Sequence, residues 1–449
     1  MPLPIVEHRN PFASIEADLR ADDASYAPPS PVDFDADLAS FKRSDVAYGH
    51  VTKDRLFTLD PAITMINHGS CGACATPVLA VRSAYLALQE REPLKFFEDL
   101  GPRLVRVIRV LAAHLEVPPM HVHLVPNASS GTTSVLRSLP LTPTSSIVSF
   151  DLGYGAVTLQ IAQVCAASGA RSVVVPTSRP YTHARILDAF RSTLDATPSA
   201  TAVVVDHITS STGIILPIEE ILAICRARNI LTIVDGAHAI GQVPIDLTAL
   251  QPDFYISNLH KWMLAPKSVA FLYIRDVQRQ GALRVQPSVV SHGYGGGYGA
   301  EFGYLGTLDY SAWLAVPASL AFHAAMGGDA LMQRNHELCV SAAKTVAAAW
   351  ETSLLVDDTQ LVGSFCVVVL PSRLFAFPLI AENSTLLRHA LLTLHLLLRR
   401  DYQIEAMCML CDPTTPGIRI AAQMYNQASD YDKLSAAVLD LIARSDVTY

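Results

Sequence analysis

The feature of this sequence that most restricts its fold is an alternation, between His121 and Ile274, of short apolar runs with amphipathic helical patterns. The runs are rich in β-branched residues and nearly continuous in apolar character, as in Ala202–Asp206 and Leu231–Val234. Strands that are covered by helices on both faces have this character, and strands joined through helices pair in parallel. We therefore predict an α/β fold with a mostly parallel sheet.

The pattern also predicts where the elements lie. Within the alternation, strands are expected at His121–Val125, Ile147–Phe150, Ser172–Val175, Ala202–Asp206, Leu231–Val234, Phe254–Ser257 and Val269–Ile274, and helices at Ser130–Leu139, Gly155–Ser168, His183–Leu194 and Pro217–Arg228. Outside it, helices are expected at Pro77–Gln89, Phe96–Leu115, Ala312–Met326, His336–Ala349, Leu386–Leu398 and Tyr431–Arg444, and strands at Cys366–Leu370 and Ile418–Ala421.

The length of 449 residues allows two or three domains. Residues 1–55, rich in Pro, Asp, Ser and Ala, are predicted to form an arm that is helical at Ile15–Arg20 and wraps a neighbouring subunit. Residues 56–310 hold the alternating elements and form the predicted large domain. Residues 311–449 mix strands and helices, which predicts a smaller α+β domain.

Composition excludes several classes of partner. The net charge is −8 and there is no basic run, which argues against nucleic acid or an anionic membrane as the main partner. No apolar stretch reaches the roughly 20 residues that span a bilayer, and the acidic N-terminal residues are unlike a transit peptide. The eight scattered cysteines are typical of a reduced interior, so we expect a cytoplasmic protein.

Polar residues follow three of the predicted strands directly. Asp235 follows one strand, His207 a second, and Asn258, His260 and Lys261 a third. Because ligands of open parallel sheets bind beyond the carboxyl ends of the strands, we expect these side chains to meet at one rim.

A lysine and a carboxylate at one rim are what pyridoxal 5′-phosphate (PLP) requires. The lysine holds the cofactor as a Schiff base and then serves as a general base. The carboxylate keeps the pyridine nitrogen protonated, so that the ring takes up electrons. The segment Asn127–Thr132, between a strand and a helix, offers small residues and backbone N–H groups for the phosphate.

These residues carry a resemblance. Val234–His238 followed by Ser257–Trp262 resembles the PLP site of class-V aminotransferases, which have fold type I. The chain is most similar to the branch that contains isopenicillin N epimerases, plant cysteine desulfhydrases and ergothioneine-type C–S lyases. Further matches lie at Asn67–Ser70, Asn127–Ser129, Tyr154–Ala156, Gly306–Asp309, Arg419–Ile420 and Gln423–Asn426. The resemblance implies a large PLP-binding domain with a sheet of the seven-stranded type and a smaller C-terminal domain.

The resemblance also implies roles for the residues around the cofactor ring. Lys261 forms the Schiff base, Asp235 pairs with the pyridine nitrogen, and His238 lies near the ring's phenolic oxygen. Tyr154 stacks on the ring or acts as an acid at the leaving group.

The remaining implied roles concern the phosphate and the substrate. The phosphate is held by Ser129, Ser130, Asn258 and His260, with Thr307 donated by the second subunit of a homodimer whose active sites lie at the interface. Arg419 clamps the carboxylate of a small amino-acid substrate, a task that suits guanidinium geometry. His68 lies at the entrance of the substrate pocket, and Ser210 contacts the cofactor or the substrate. His207 is expected to lie behind the residues that contact the ligand, without a catalytic role.

Two C-x-x-C pairs are left over. Cys71 and Cys74 form the first pair, and Cys71 stands where this branch has an aromatic residue, so we expect it to alter the substrate pocket. Cys408 and Cys411 precede Arg419, and a persulfide-accepting role, a zinc site or plain buried thiols are the alternatives; we expect no metal. The glycine-rich segment Gly293–Gly306 follows no clean strand and opens no helix, so we interpret it as a mobile loop at the dimer interface.

Three functions stay open. The first is a C–S lyase, which carries out β-elimination from cysteine or an S-substituted cysteine. The second is an amino-acid epimerase, which needs a second base from Cys71, His68 or His207. The third is a catalytically inactive PLP-binding protein.

Overall fold

The computed structural model describes residues 12, 14–29, 47–278, 283–375 and 384–444. The strands, in chain order, are β1 (Thr64–Met65), β2 (Val122–Val125), β3 (Ser146–Phe150), β4 (Arg171–Val175), β5 (Ala200–Asp206), β6 (Leu231–Asp235), β7 (Phe254–Asn258), β8 (Ala270–Ile274), β9 (Phe365–Val369), β10 (Ile404–Glu405), β11 (Met407–Leu410) and β12 (Pro416–Ala421).

The helices are α1 (Ile15–Arg20), α2 (His50–Leu56), α3 (His68–Cys71), α4 (Thr76–Arg91), α5 (Pro93–Glu98), α6 (Leu100–His114), α7 (Ala128–Ser138), α8 (Gly155–Ser168), α9 (His183–Asp195), α10 (Ile218–Ala227), α11 (Leu247–Leu250), α12 (Tyr298–Gly303), α13 (Ser311–Leu314), α14 (Val316–Ala325), α15 (Asp329–Trp350), α16 (Ser384–Tyr402) and α17 (Ala428–Ala443). Short 3₁₀ turns lie at Pro119–His121, Thr359–Leu361 and Ser372–Leu374.

The central sheet has seven strands in the order β2-β8-β7-β6-β5-β3-β4. Its strands are parallel except β8, which runs antiparallel to both of its neighbours. The buried faces of β2, β3, β7 and β8 explain why their sequences are continuously apolar. The predicted α/β fold and the mostly parallel sheet are thereby confirmed.

Two predicted helices are each divided in the structure. The helix expected at Phe96–Leu115 is α5 followed by α6, and the one expected at Ala312–Met326 is α13 followed by α14. A proline lies in the first turn of each second helix, Pro102 in α6 and Pro317 in α14. Because proline has no N–H to donate and its ring crowds the preceding turn, a helix begins there more easily than it continues.

The glycine-rich segment is more ordered than predicted. It contains α12, which is buried and packs against α1 from the same chain. The N–H of Gly299 donates to the Glu16 carboxylate over 3.1 Å, and a side chain at Gly299 would meet Leu19 and Ile15. The prediction of a mobile loop is therefore wrong at Tyr298–Gly303. The α1 helix lies where predicted and packs on its own chain. That the N-terminal arm wraps a neighbouring subunit stays a prediction.

The C-terminal part of the chain has its own apolar core. β9, β11 and β12 form an antiparallel sheet of three strands in the order β11-β12-β9, and α15, α16 and α17 pack beside it. β1 joins this part by pairing in parallel with β10. The predicted boundaries near residues 55 and 310 stay a prediction. No helix within the described ranges has the length and hydropathy needed to cross a bilayer.

Candidate active site

A polar cavity of about 190 Å³ lies at the carboxyl ends of β5, β6 and β7. Eight of the predicted site residues line it: Ser129, Tyr154, Ser210, Asp235, His238, Asn258, His260 and Lys261. Ser70, Asn127, Ala128, Asp206, Ile208 and Ala237 complete the wall. Of the polar side chains predicted to meet at one rim, Asp235, Asn258, His260 and Lys261 do so, whereas His207 does not line the cavity.

The Lys261 amine is bonded to His238. Its Nζ lies 2.8 Å from His238 Nε2, and Trp262 Nε1 donates to His238 Nδ1 over 3.4 Å. Because the indole nitrogen is only a donor, the neutral imidazole is assigned its proton on Nε2, and the lysine amine accepts that proton in a hydrogen bond. Burial agrees with this assignment, since it lowers the pKa of Lys261 to about 8 and holds the pKa of His238 well below its usual range. The uncharged form, which attacks a carbonyl, is therefore reached at a lower pH than in an ordinary lysine.

Asp235 presents a buried carboxylate to the same cavity. It is 3% exposed, and one carboxylate oxygen accepts the Ala237 N–H over 3.0 Å. Burial raises its pKa, while the charge of Lys261 lowers it. The chain beside it is tightly packed, because a side chain at Gly236 would meet the Tyr255 ring at 2.4 Å. A cationic N–H of a ligand would complete the hydrogen bonding of this carboxylate.

The α7 N-terminus closes another wall. Asn127 caps the helix by accepting the Ser130 N–H over 2.8 Å, and Asn258 accepts the Ala128 N–H over 2.9 Å. A helix start with small residues attracts an anion, because its N–H groups point at the ligand and the helix dipole adds positive potential. The wall therefore suits a phosphate group.

His260 lines this wall in a defined tautomer. Its Nδ1 lies 2.9 Å from the Val269 carbonyl, so Nδ1 carries the proton and Nε2 of the neutral ring keeps a lone pair. Burial lowers its pKa to about 4. A phosphate dianion beside this nitrogen would favour the charged form, so anion binding here is linked to proton uptake.

Arg419, on β12, is held beside the cavity by three groups. Its Nη1 donates to the Ser210 carbonyl over 2.5 Å, and its Nη2 donates to Asn67 Oδ1 over 2.9 Å and to Ser70 Oγ. The guanidinium is 4% exposed, and its Nε has no hydrogen-bond partner among the described residues. Burial lowers its pKa to about 10. Ser70 and Ser210 line the cavity, so a carboxylate reaching Arg419 would exchange with these contacts.

Besides Arg419, four residues singled out from the sequence do not line the cavity. His68 is fully buried between the Tyr425 hydroxyl and the Lys261 carbonyl, at 2.9 and 3.0 Å. His207 is buried and bonds the Tyr255 hydroxyl over 2.7 Å. Ser130 turns its hydroxyl to Asn127. Thr307 lies 3.5 Å from the Tyr304 hydroxyl.

Tyr154 and Asp206 both line the cavity, but only Tyr154 was predicted from the sequence as a site residue. Tyr154, just before α8, lines the cavity and is 43% exposed, so its phenol is free to approach a substrate. Asp206 lines the cavity as well, but it was missed as a site residue. It ends a predicted strand and is the register partner of Asp235 on the neighbouring strand, and its only sequence signal was a carboxylate at the end of an otherwise apolar run.

The residues present fit PLP. The free amine of Lys261, the buried carboxylate of Asp235 and the anion-binding start of α7 all face one cavity. The amine would hold the cofactor aldehyde, the carboxylate its pyridine nitrogen and the helix start its phosphate.

All eight cysteines are free thiols. Cys71 is exposed and Cys74 is partly buried, and both lie within electrostatic range of Lys267. Burial raises the pKa of Cys411 to about 12 and raises that of Cys408 further, so neither thiol is activated as a nucleophile. Plain buried thiols are the alternative that these surroundings favour.

Known proteins resemble this chain in sequence over most of its length. Residues 110–373 match the family model Aminotransferase class-V. The Oryza sativa subsp. japonica protein named "Putative L-cysteine desulfhydrase 1" is 33% identical over 416 residues, which cover 86% of this chain and 84% of that protein. Isopenicillin N epimerase from Streptomyces clavuligerus is 29% identical over 400 residues, which cover 85% of this chain and 95% of that enzyme.

Solved structures share the fold. The cystine C–S lyase C-DES, in complex with its product cysteine persulfide, matches with a TM-score of 0.69 at 20% identity, over 84% of this chain and 97% of that one. A C-DES variant with glycine covalently linked to its PLP cofactor matches with a TM-score of 0.68. At this identity the likeness establishes the fold.

Proposed function

The chain belongs to the class-V aminotransferase family, and on that premise we propose that it is a PLP-dependent C–S lyase acting on cysteine or an S-substituted cysteine. The observation that carries the proposal is the shared cavity of Lys261 and Asp235, with the lysine amine hydrogen-bonded to His238. The cysteine desulfhydrase name of a relative that is 33% identical supports the choice of lyase.

The chain's own residues divide the work of β-elimination. PLP, when bound, supplies an electron sink for the bonds to the substrate Cα. The Lys261 amine accepts the Cα proton, which its lowered pKa allows near neutral pH. Tyr154, exposed at the cavity, donates a proton to the departing sulfur. Arg419 fixes the substrate carboxylate, so that the Cα–H bond points at the lysine.

The balance of the reaction is simple. L-Cysteine loses its Cα proton to Lys261 and its sulfur, protonated by Tyr154, as sulfide. Loss of both groups leaves a double bond between Cα and Cβ. Cβ then takes up a proton from solvent and water replaces the nitrogen, so pyruvate and ammonia are the other products. Lys261 gives up its proton and Tyr154 regains one through solvent, which restores both residues. With an S-alkylcysteine the sulfur leaves as a thiol, with cystine as cysteine persulfide, and with a cysteine sulfoxide as a sulfenic acid.

An epimerase would need a second base on the far side of Cα. The structure gives little room for two of the candidates, because the His68 ring is fully bonded and the His207 ring faces Tyr255. Cys71 is exposed and stays the candidate to examine. We therefore rank the lyase first.

Proton NMR in deuterated water separates these functions. The holoenzyme is incubated with L-cysteine, cystine and cysteine sulfoxides. We expect pyruvate to appear as the sulfur substrate disappears, and sulfide to form from cysteine. Deuterium at Cα with a growing D-isomer and no pyruvate would instead establish an epimerase. A protein without the visible absorption of bound PLP and without either product would contradict both.

We also propose that the enzyme is a cytoplasmic homodimer in which Thr307 reaches the phosphate of the partner's site. The free cysteines are in keeping with a reducing compartment.

Mixing Lys261→Ala chains with Thr307→Ala chains tests the shared site. Heterodimers would contain one site with both native residues, so we expect the mixture to recover activity that neither variant has alone. No gain on mixing would contradict the shared site.

A further inference from the structure

His68, on α3, is buried in the interior rather than at the entrance of the substrate pocket. Its Nδ1 lies 2.9 Å from the Tyr425 hydroxyl, and its Nε2 lies 3.0 Å from the Lys261 carbonyl. Because a carbonyl only accepts, Nε2 is assigned the proton and donates to Lys261, and the Tyr425 hydroxyl donates to Nδ1. Burial, which lowers the pKa of His68 to about 4, agrees with a neutral ring. Each ring nitrogen therefore has one partner, and the two partners come from distant parts of the chain.

The α3 helix lies directly against the main chain that carries the cofactor lysine. A Cβ at Gly72, the residue after α3, would meet the His260 carbonyl oxygen at 2.2 Å and Lys261 Cα at 3.0 Å. A Cβ at Gly69 would meet the Trp262 ring at 3.3 Å. Glycine at both positions allows this close approach, so the His68 ring reaches the Lys261 carbonyl from a fixed direction.

The main chain after Lys261 needs support from its surroundings. The Lys261 carbonyl also accepts the Leu264 N–H over 3.1 Å, which closes a turn. Leu264 has a φ of 62° and Ser268 a φ of 72°, and this left-handed conformation is unfavourable for residues with a side chain. Such a backbone persists only where the contacts around it fix it. The N–H of His68 is one of these contacts, and it acts on the residue whose amine reaches His238.

Tyr425, at the other side of His68, is fixed by the C-terminal part of the chain. It lies buried in the turn after β12. Arg334 Nη1 donates to the Gln423 carbonyl over 2.8 Å, and the Gly49 N–H donates to the Met424 carbonyl over 2.8 Å, so the turn is held on both sides of its path. The position of the Tyr425 hydroxyl is therefore set by the C-terminal part of the chain.

We propose that His68 is a positioning residue for Lys261. Tyr425 holds the ring in the tautomer that donates to the Lys261 carbonyl, and this bond fixes the main chain from which the amine reaches the cofactor aldehyde. The inference rests on the proposed function only in giving the cofactor to Lys261. It adds that retention of the cofactor depends on two residues that do not line the cavity.

The test follows release of PLP from the holoenzyme. A phosphatase destroys free PLP and prevents rebinding, so the loss of visible absorption measures the release rate. Asparagine can accept the Tyr425 hydroxyl near the position of Nδ1, but it has no N–H that reaches Lys261. We expect His68→Asn to release PLP about tenfold faster, because a loosened amine returns less readily to the aldehyde. Glutamine can place an amide N–H near the position of Nε2, so His68→Gln should stay within about twofold of wild type.

Two further variants test the part of Tyr425. Tyr425→Phe should accelerate release about threefold, because the ring can still donate but nothing holds its tautomer. The same change in a His68→Gln chain should have no further effect, since an amide has no second tautomer. Tyr431→Phe is the matched control, because its buried hydroxyl donates to the Ala421 carbonyl over 2.9 Å in the same part of the chain. It should leave release unchanged, even though it lowers the melting temperature as much as Tyr425→Phe does.

Several results would overturn the proposal. Equal acceleration in His68→Gln and His68→Asn would mean that the ring only fills space. Unchanged release in His68→Asn would break the connection to Lys261. An acceleration in Tyr431→Phe as large as in Tyr425→Phe would reduce the pair to general support of the fold, as would loss of the fold in both His68→Gln and Tyr425→Phe. Because no substrate takes part, these results are independent of whether the wild-type chain releases sulfide.

Discussion

Buried aspartates at the two ends of the central sheet have different surroundings. One is hydrogen-bonded entirely within the chain, and the other faces a cavity. At the amino end of β7, Asp253 is 7% exposed and accepts the Thr232 N–H and hydroxyl, each over 3.0 Å, while Arg275 donates to it over 2.6 Å. At the carboxyl end of β6, Asp235 is equally buried but has the Ala237 N–H and an open cavity.

The difference separates a group that serves the fold from a group kept for a ligand. A buried carboxylate whose oxygens are all satisfied within the chain stabilises the folded state. A buried carboxylate that faces a cavity beside a lysine costs stability until a ligand pairs with it. Removing the charge of Asp235 should therefore change activity, whereas removing the charge of Asp253 should change the stability of the fold.

The largest effect is expected for Lys261→Ala. Turnover should fall by at least about 10³-fold, because the Cα proton loses its acceptor. The apoprotein should melt no lower than wild type, since a buried amine that is costly to charge has been removed. Product release and thermal melting measure the two effects, and Lys433→Ala, at a lysine bonded to Thr64, is the control. Unchanged turnover in Lys261→Ala would overturn the assignment of this cavity as the active site.

Asp235→Asn should come next. We expect kcat to fall by about 10²-fold, because an amide no longer keeps the pyridine nitrogen protonated. Asparagine can still accept the Ala237 N–H, so the apoprotein should keep its melting temperature or gain a little. Steady-state kinetics and calorimetry check the pair of expectations. A marked loss of stability with normal kcat would place Asp235 in the same class as Asp253.

The pH dependence of cofactor loading reports the state of Lys261 directly. Only the free amine attacks the aldehyde, so the loading rate of the apoprotein should rise about tenfold per pH unit below pH 8 and level off above it. The pKa of about 8 sets that midpoint. Stopped-flow absorbance follows the reaction, and a free amino acid measured over the same range corrects for ionisation of the cofactor. A rate still rising steeply above about pH 9 would mean an ordinary lysine.

Asp253→Asn should have the smallest effect on activity. The free energy of unfolding should fall by about 2 kcal/mol, because Arg275 loses a charged partner at a buried site. The values of kcat and KM should match wild type once the protein is folded. Denaturant unfolding and kinetics on the same preparation measure both. A change in KM without a change in stability would remove the contrast between the two ends of the sheet.

Much of the fold could be predicted because its signals are local. Gly155–Ser168 was predicted with the bounds that the structure has, since Gly169, at a φ of 74°, ends the helix with a left-handed residue. The divisions at Pro102 and Pro317 had a local signal too, which the apolar periodicity masked. The burial of α12 had none, because it depends on contacts with Ile15, Glu16 and Leu19, nearly 300 residues earlier in the chain.

The residues of the candidate site also divide into those that have a local signal in the sequence and those that have none. Lys261, Asp235 and the start of α7 could be located because each follows a strand that the sequence reveals. The inward positions of His68 and His207 could not, because their hydrogen bonds join distant segments. Asp206 was hidden for another reason. Whether a strand's last residue faces a cavity depends on its register with the next strand, and register is a property of the assembled sheet.

The contact between Arg419 and Asn67 spans 352 residues of chain. When the nascent chain has emerged from the ribosome as far as Ile274, every strand of the central sheet is present, together with Lys261 and Asp235. β12 and Arg419 have not yet been synthesised. Domains tend to fold as their segments emerge, and contacts of long separation form late. The proposed carboxylate clamp at Arg419 is therefore expected to assemble after Lys261 and Asp235, the residues proposed to hold the cofactor.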